Sequence, residues 1–272
     1  MSSNSRQRKS RERVTGKEQF YTPIDTAKHC VKVMDQVALR EVYLEPAGGT
    51  GSFIQALEGR SIVSYDIEPK HPFVQHADFL TTSLSLSHVI TLTNPPFGRN
   101  HSLSIPFFNK CADVSDYIGF IIPKSWRKWS VLNRLDRRFH LIHDEELDVD
   151  YIDGGSGKLN TIFQIYEKRG VLRDLITIPD NNYITKVKDP KEADVALTVF
   201  GRGCGTVRRS FETDPKTTQM YLKVNEPWVM GALPKLNYKR FYENVAFTEA
   251  LSINEINHLL NTFNDPTNLR YI

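Results

Sequence analysis

The chain has 272 residues, 40% hydrophobic and 25% charged, with 35 basic against 32 acidic side chains and a formal net charge of +3. That length accommodates one large domain, or a core domain with an appended module, around a well-buried interior. No apolar run approaches the roughly 20 residues of a membrane span, and no cleavable apolar leader is visible. Three scattered cysteines (Cys30, Cys111 and Cys204), with no CxxC pair, indicate neither a disulfide framework nor a zinc site, and no metal is expected. A reducing, intracellular setting, cytoplasmic by default, is the expectation.

Residues 1–18 (SSNSRQRKSRERVTGK and its flanks) are polar, basic and almost free of large apolar side chains, and read as a disordered tail. Ordered structure is expected from Gln19. Pro23-Ile24-Asp25-Thr26 ahead of AKHCVKVMDQVAL suggests a capped helix, with Ala27, Cys30, Val31, Met34, Val37 and Ala38 on one face. Strand and helix patterns then alternate: EVYLEP, TGSFIQALEG, SIVSYDI, HVITLTN, SLSIPFFNKCADV and YIGFIIPKSW. Alternation of this kind predicts an α/β fold with a mostly parallel sheet covered on both faces. WSVLNRLDRRF is predicted as a helix, and HLIHDEELD and TIFQIYEKR as two late strands around the turn Asp153-Gly154-Gly155-Ser156-Gly157. From Leu172 the pattern changes to short β-like runs (ADVALTVF, GTVRRSF, MYLKV), five prolines between 179 and 234, and a last helix, SINEINHLLNTF. The expected division is a basic tail (1–18), a catalytic domain (19–171) and a C-terminal accessory or substrate-recognition region (172–272).

Three clusters carry chemistry. Glu45-Pro46-Ala47-Gly48-Gly49-Thr50-Gly51 joins an apolar strand to a helix, so its glycines let the backbone approach a ligand at the positive end of a helix. Asp66 ends the next strand, where a carboxylate binds ribose hydroxyls, and Ile67 beside it would pack on an adenine ring. This pair fits a dinucleotide as well as an adenosyl sulfonium cofactor. Asn94-Pro95-Pro96-Phe97 follows the strand HVITLT, at the carboxyl end of a sheet, where open α/β folds bind ligands. The two prolines stiffen the backbone and remove two donors. An amide side chain, an outward carbonyl and an aromatic ring together suit an amino group on a flat heterocycle.

Residues 19 to about 170 resemble the class I S-adenosylmethionine-dependent N6-adenine methyltransferases, in the gamma-like order with cofactor motifs ahead of the catalytic one. The resemblance is carried by Phe20-Tyr21-Thr22-Pro23, by Glu45 to Gly51, by Asp66, by Ala77-Asp78-Phe79 and by Asn94-Pro95-Pro96-Phe97. It implies a Rossmann-like class I methyltransferase fold with a mostly parallel seven-stranded sheet, plus a small C-terminal α+β elaboration. It also implies S-adenosylmethionine held by Phe20, Tyr21, Thr22, Glu45, Ala47, Gly49, Gly51, Asp66, Ile67, Asp78 and Phe79. The catalytic group would be Asn94, Pro95, Pro96 and Phe97, with the Asn94 oxygen and the Pro95 carbonyl accepting the adenine N6 hydrogens and Phe97 stacking on the base. Lys124, Trp126, Arg127 and Lys128 interleave aromatic and cationic side chains and are expected to bind nucleic acid. The expected substrate is adenine in nucleic acid, DNA before RNA. RNA adenine methylation, protein-glutamine methylation and a non-catalytic nucleic-acid-binding subunit stand as alternatives.

Overall fold

The structure is a computed structural model that describes residues 20–151, 159–212 and 215–265. The expected basic tail and the glycine-rich turn at 153–157 lie outside the described residues.

Seven strands form the main sheet: β1 (Val42–Glu45), β2 (Ser61–Asp66), β3 (Gln75–His76), β4 (Val89–Thr93), β5 (Ser115–Pro123), β6 (Phe139–Leu147) and β7 (Thr161–Lys168). Their order is β3-β2-β1-β4-β5-β7-β6, and β7 alone runs against the others. This is the Rossmann-like, mostly parallel seven-stranded sheet of class I methyltransferase type that the sequence leads one to expect. Period-2 alternation explains how the sheet is sandwiched. Ile118, Phe120 and Ile122 of β5, with Ile162 and Tyr166 of β7, pack on one side with Phe107 and Phe108 of helix α3 (numbered below). Ile121, Phe163 and Ile165 face the other side, against Ala27, Cys30, Val31 and Met34.

The helices of this part are α1 (Ile24–Asp35), α2 (Ser52–Ala56), α3 (Ser104–Cys111) and the single turn α4 (Trp129–Leu132). The helix predicted from Trp129 to Phe139 stops after that turn. Arg173 reaches across to donate to the carbonyls of Leu132 and Leu135, and Asn133 bonds both the N–H and the C=O of Ile176. Carbonyls that a longer helix would satisfy are thus satisfied by a distant segment. Strand β3 was not foreseen. Gln75 and His76 are exposed and carry no apolar alternation, and backbone pairing to Tyr65 and Asp66 holds them.

Beyond residue 183 a second, antiparallel sheet has the order β10-β9-β11-β8, formed by β8 (Ile184–Val187), β9 (Val195–Thr198), β10 (Val207–Arg208) and β11 (Gln219–Val224). It packs with α5 (Val229–Ala232), α6 (Lys239–Tyr242) and α7 (Ile253–Asn264) around its own apolar core, which includes Leu197, Leu222, Leu233 and Leu260. A capping box starts α7: Ser252 Oγ accepts from the Glu255 N–H, and Glu255 Oε2 accepts from the Ser252 N–H at 2.7 Å. The two parts meet where Lys128 Nζ lies 3.2 Å from the buried Glu255 carboxylate and the Trp129 ring packs against Phe241 and His258. Among the described residues no helix is long and apolar enough to cross a membrane.

Candidate active site

Right-handed strand–helix–strand wiring brings the carboxyl ends of parallel strands to one edge of the sheet. The glycine loop after β1, Asp66 at the end of β2 and Asn94 after β4 are therefore neighbours. Gly49 and Gly51 have positive φ (+45° and +77°), and a Cβ on Gly51 would lie 2.5 Å from the His71 ring. A side chain is thus excluded by conformation and by space. Asp66 binds the loop directly. Its Oδ2 accepts from the Gly49 N–H at 2.8 Å and its Oδ1 from the Glu68 N–H at 2.7 Å. The β2–β3 pairing and a bond from the Ala77 N–H to the Asp66 carbonyl fix the strand end that carries it.

Glu45 ends β1 only 2% exposed, and its Oε2 accepts from Ser64 Oγ at 3.0 Å. Burial, with the nearby Asp66 charge adding to it, pushes the Glu45 carboxyl up to about 8, against the opposing Ser64 hydrogen bond. At neutral pH the group is mostly protonated. An arriving cation would draw the proton off, since opposite charge favours the ionised form.

Residues 20–22 lie across this edge. The Asn94 Nδ2 group donates to the Phe20 carbonyl at 2.7 Å and to Thr22 Oγ1 at 3.2 Å. A carbonyl only accepts, so the NH₂ of the amide has to face Phe20. The Asn94 Oδ1 on the other side is buried and, among the described residues, has no hydrogen-bond partner. The Thr22 carbonyl accepts in turn from Ser52 Oγ at 2.6 Å, which ties the Asn94 amide to the first turn after the glycine loop. The Phe20 ring stacks on Phe97 with centroids 5.7 Å apart and an interplanar angle of 27°, and makes an edge contact with Tyr151 at 5.6 Å. Only about 30 Å³ of cavity remains between Phe20–Thr22, the glycine loop and Asn94, roughly the share of one water molecule.

These residues fit a cationic adenosyl cofactor. A buried carboxyl awaits a positive charge, a backbone cradle is open only because it lacks side chains, Asp66 ends its strand half-buried, and Ile67 next to it is 55% exposed. Admission requires the Phe20 and Tyr21 side chains, which lie over Phe97 and Gly49, to turn outward.

Other expected residues lie differently. Pro95 is buried and Pro96 half-buried beside Asn94. Ala47 lines the same small cavity. Asp78 is exposed and accepts from the Leu80 N–H at 2.9 Å, whereas Phe79 is 1% exposed and turned into the core against Tyr65 and Phe107. The Phe79 ring is therefore a core group. Phe97, 6% exposed, has its stacking face taken by Phe20.

The expected nucleic-acid segment is corrected at Trp126. Trp126 is fully buried among Phe108, Phe120 and His101, with Nε1 donating to the Tyr166 hydroxyl at 3.0 Å, and offers no face to a base. Lys124 is 2.6 Å from Glu146, Arg127 pairs with Asp144 and Glu146, and Lys128 pairs with Glu255. Every cation of the turn has an acid of its own. Pro123 ends β5, and the largest apolar side chain in the turn folds back into the core, which no local pattern of charges and aromatics reveals. Ser52, Ser64 and Tyr151 were missed by sequence reasoning. Ser52 had a signal in its place directly after Gly51, while Ser64 and Tyr151 had none.

Among solved structures the chain is similar to a candidate RNA methyltransferase of Pyrococcus horikoshii, at 17% identity over 56% of this chain and 87% of that one, with a TM-score of 0.45. It is likewise similar to the 23S rRNA methyltransferase ErmE (16% identity, 58% of this chain and 72% of that one, TM-score 0.42) and to Thermoplasma acidophilum 1320 (17%, 58% and 93%, TM-score 0.45). No family model and no curated protein sequence matches the chain.

Proposed function

We propose that the protein transfers a methyl group from S-adenosylmethionine to the N6 amino group of adenine in nucleic acid, with DNA as the first substrate to test. The observation that carries this reading is the buried Asn94 Oδ1, an acceptor without a partner among the described residues, at a sheet edge that also holds a cofactor-type glycine loop and Asp66. A buried unpaired acceptor is costly, on the order of 1–3 kcal/mol, and an NH₂ group delivered to it recovers that cost.

When bound, S-adenosylmethionine supplies an electrophilic methyl on a cationic sulfur. Glu45, the glycine loop, Asp66 and Ile67 would hold it, with Tyr21 and Thr22 closing over the methionine end. The chain's own task is positioning. Asn94 Oδ1 takes one N6 hydrogen and the Pro95 carbonyl the other, which turns the nitrogen lone pair out of ring conjugation. Thr22 Oγ1 and the Phe20 carbonyl keep the amide from rotating by half a turn and presenting NH₂ to an amino group. Phe97 receives the base on its ring once the Phe20 side chain turns away, and an adenine in a duplex has to leave the stack to reach it.

The test is transfer of labelled methyl to DNA, RNA and protein in separate reactions, with Asn94→Ala and Asp66→Ala alongside. Label on adenine N6 is expected, with activity lost about 100-fold or more in Asn94→Ala at retained cofactor binding, as for removal of a group that stabilises reacting charge. Weakened cofactor binding is expected in Asp66→Ala. Label on glutamine, or full activity in Asn94→Ala, would refute the assignment. Label on RNA adenine alone would replace DNA and leave the chemistry standing.

A further inference from the structure

A second and larger cavity opens at the opposite end of the sheet. It has a volume of about 480 Å³ and is lined by Arg40, Asp116, Tyr117, Arg138, Lys168 and Arg169, with Gly170 and Leu172 at its rim. Tyr117 is near the amino end of β5 and Lys168 ends the antiparallel β7. Asn94 follows the carboxyl end of β4, so about five residues of strand, roughly 15–20 Å, separate the two places.

Four of the lining residues are cations and one is an acid. Their donors are unevenly used. Arg40 is spent: Nε and Nη2 both donate to Asp116 Oδ2 at 3.1 Å, Nη1 donates to the Leu39 carbonyl, and the guanidinium lies over the Tyr117 ring at 5.4 Å. Arg138 is held along one edge by Asp136 through Nε and Nη2, with Asp113 a further 3.8 Å neighbour of Nη2. Arg169 is held only through Nε, by Glu167 at 2.7 Å. Among the described residues, Lys168 Nζ has no hydrogen bond or close ion pair and acts on Asp136 only through its charge, and the terminal nitrogens of Arg169 and Nη1 of Arg138 have no acceptor. This differs from the Lys124–Lys128 turn, where each cation is matched. Here the acids hold the guanidinium groups by one edge and leave the remaining donors unused on residues that line one cavity. The Gly170 position adds an open wall, since a Cβ there would meet nothing within 4 Å.

We propose that this cleft is a phosphate-binding site separate from the methyl-transfer pocket. Several independent cationic donors around one cavity suit an oxyanion with three acceptor oxygens better than a single planar carboxylate, and the volume falls in the range of small-ligand sites. The phosphate comes either from the backbone of a polynucleotide or from a free nucleotide. The site stands on its own residues and holds whether or not adenine is the methylated group.

The test uses the full chain and the double variant Lys168→Gln/Arg169→Gln, with Lys168→Arg/Arg169→Lys as the charge-preserving control and a thermal melt to verify folding. Inorganic pyrophosphate is titrated by calorimetry, and a fluorescent 20-nucleotide oligonucleotide by anisotropy at several salt concentrations. Pyrophosphate affinity is expected to fall ten-fold or more in the Gln/Gln variant and to persist in the control. If the polynucleotide is the source, the salt slope of oligonucleotide binding drops by about 1.4 in the Gln/Gln variant, because two phosphate contacts no longer release counterions. If a nucleotide is the source, oligonucleotide binding is unchanged and ATP competes with pyrophosphate. Equal pyrophosphate binding by the wild type and the Gln/Gln variant, or none by the wild type at millimolar concentration, would overturn the proposal. Methyl transfer measured on the same samples reports on the other site independently.

Discussion

Replacing Glu45 with Gln removes a carboxyl group that the fold keeps protonated, and its effect on stability follows from the pKa. Burial, reinforced by the charge of Asp66, holds the folded value at about 8, against an ordinary 4.5 for the exposed group. The folded value lies above the unfolded one, so the contribution to stability is full below pH 4.5 and is lost as the pH rises towards 8. Linkage sets the slope at about 1.4 kcal/mol per pH unit for one group, which amounts to about 3 kcal/mol lost by pH 7. Gln has the same shape, accepts from Ser64 and never ionises. Glu45→Gln is expected to be more stable than the wild type at pH 7 by about 2 kcal/mol, after allowing ~1 kcal/mol for a changed hydrogen bond. The assay is urea unfolding at pH 5, 6, 7 and 8: the wild type should weaken steadily over this range and the variant should not. A cationic ligand drives the same proton off, so wild-type affinity for S-adenosylmethionine should rise from pH 6 to 8.5 and the variant's should stay flat. Parallel stability profiles for the two proteins would refute the reasoning.

Two further outcomes are expected beyond the labelling and phosphate experiments. Thr22→Val removes one of two acceptors that orient the Asn94 amide, worth ~1 kcal/mol, so kcat should fall about five-fold at unchanged nucleic-acid KM. Thr22→Ser should restore it, and a change confined to KM would argue against an orienting role. Trp126→Phe removes the bond from the indole to Tyr166 and part of a core side chain, at about 1–3 kcal/mol of stability by chemical denaturation. Nucleic-acid affinity should not change; weaker binding at wild-type stability would return Trp126 to the substrate face.

Much of the sheet was legible because burial on both faces leaves a local record. β4 is buried at every position and reads as a β-rich run of Val, Ile, Leu and Thr without charge, and the helices between strands show their own period. β3 left no such record, because two exposed residues are held there by backbone bonds alone. The segment after Leu132 carried a helical period, yet Arg173, some 40 residues on, supplied a competing set of donors.

The order of the glycine loop, Asp66 and Asn94 was determined by the sequence itself. Each ends a strand in an alternating strand–helix chain, and the handedness of such crossovers brings those ends to a common edge. The state of that edge was decided only in three dimensions. That Phe20 covers Phe97, that the Asn94 amide is turned with its oxygen unpaired, and that Trp126 is core while the cations beside it are neutralised by β6 and α7 all depend on contacts between residues 17 to 127 positions apart. Such contacts write no period into the chain, because each partner obeys only its own local geometry until the layers close.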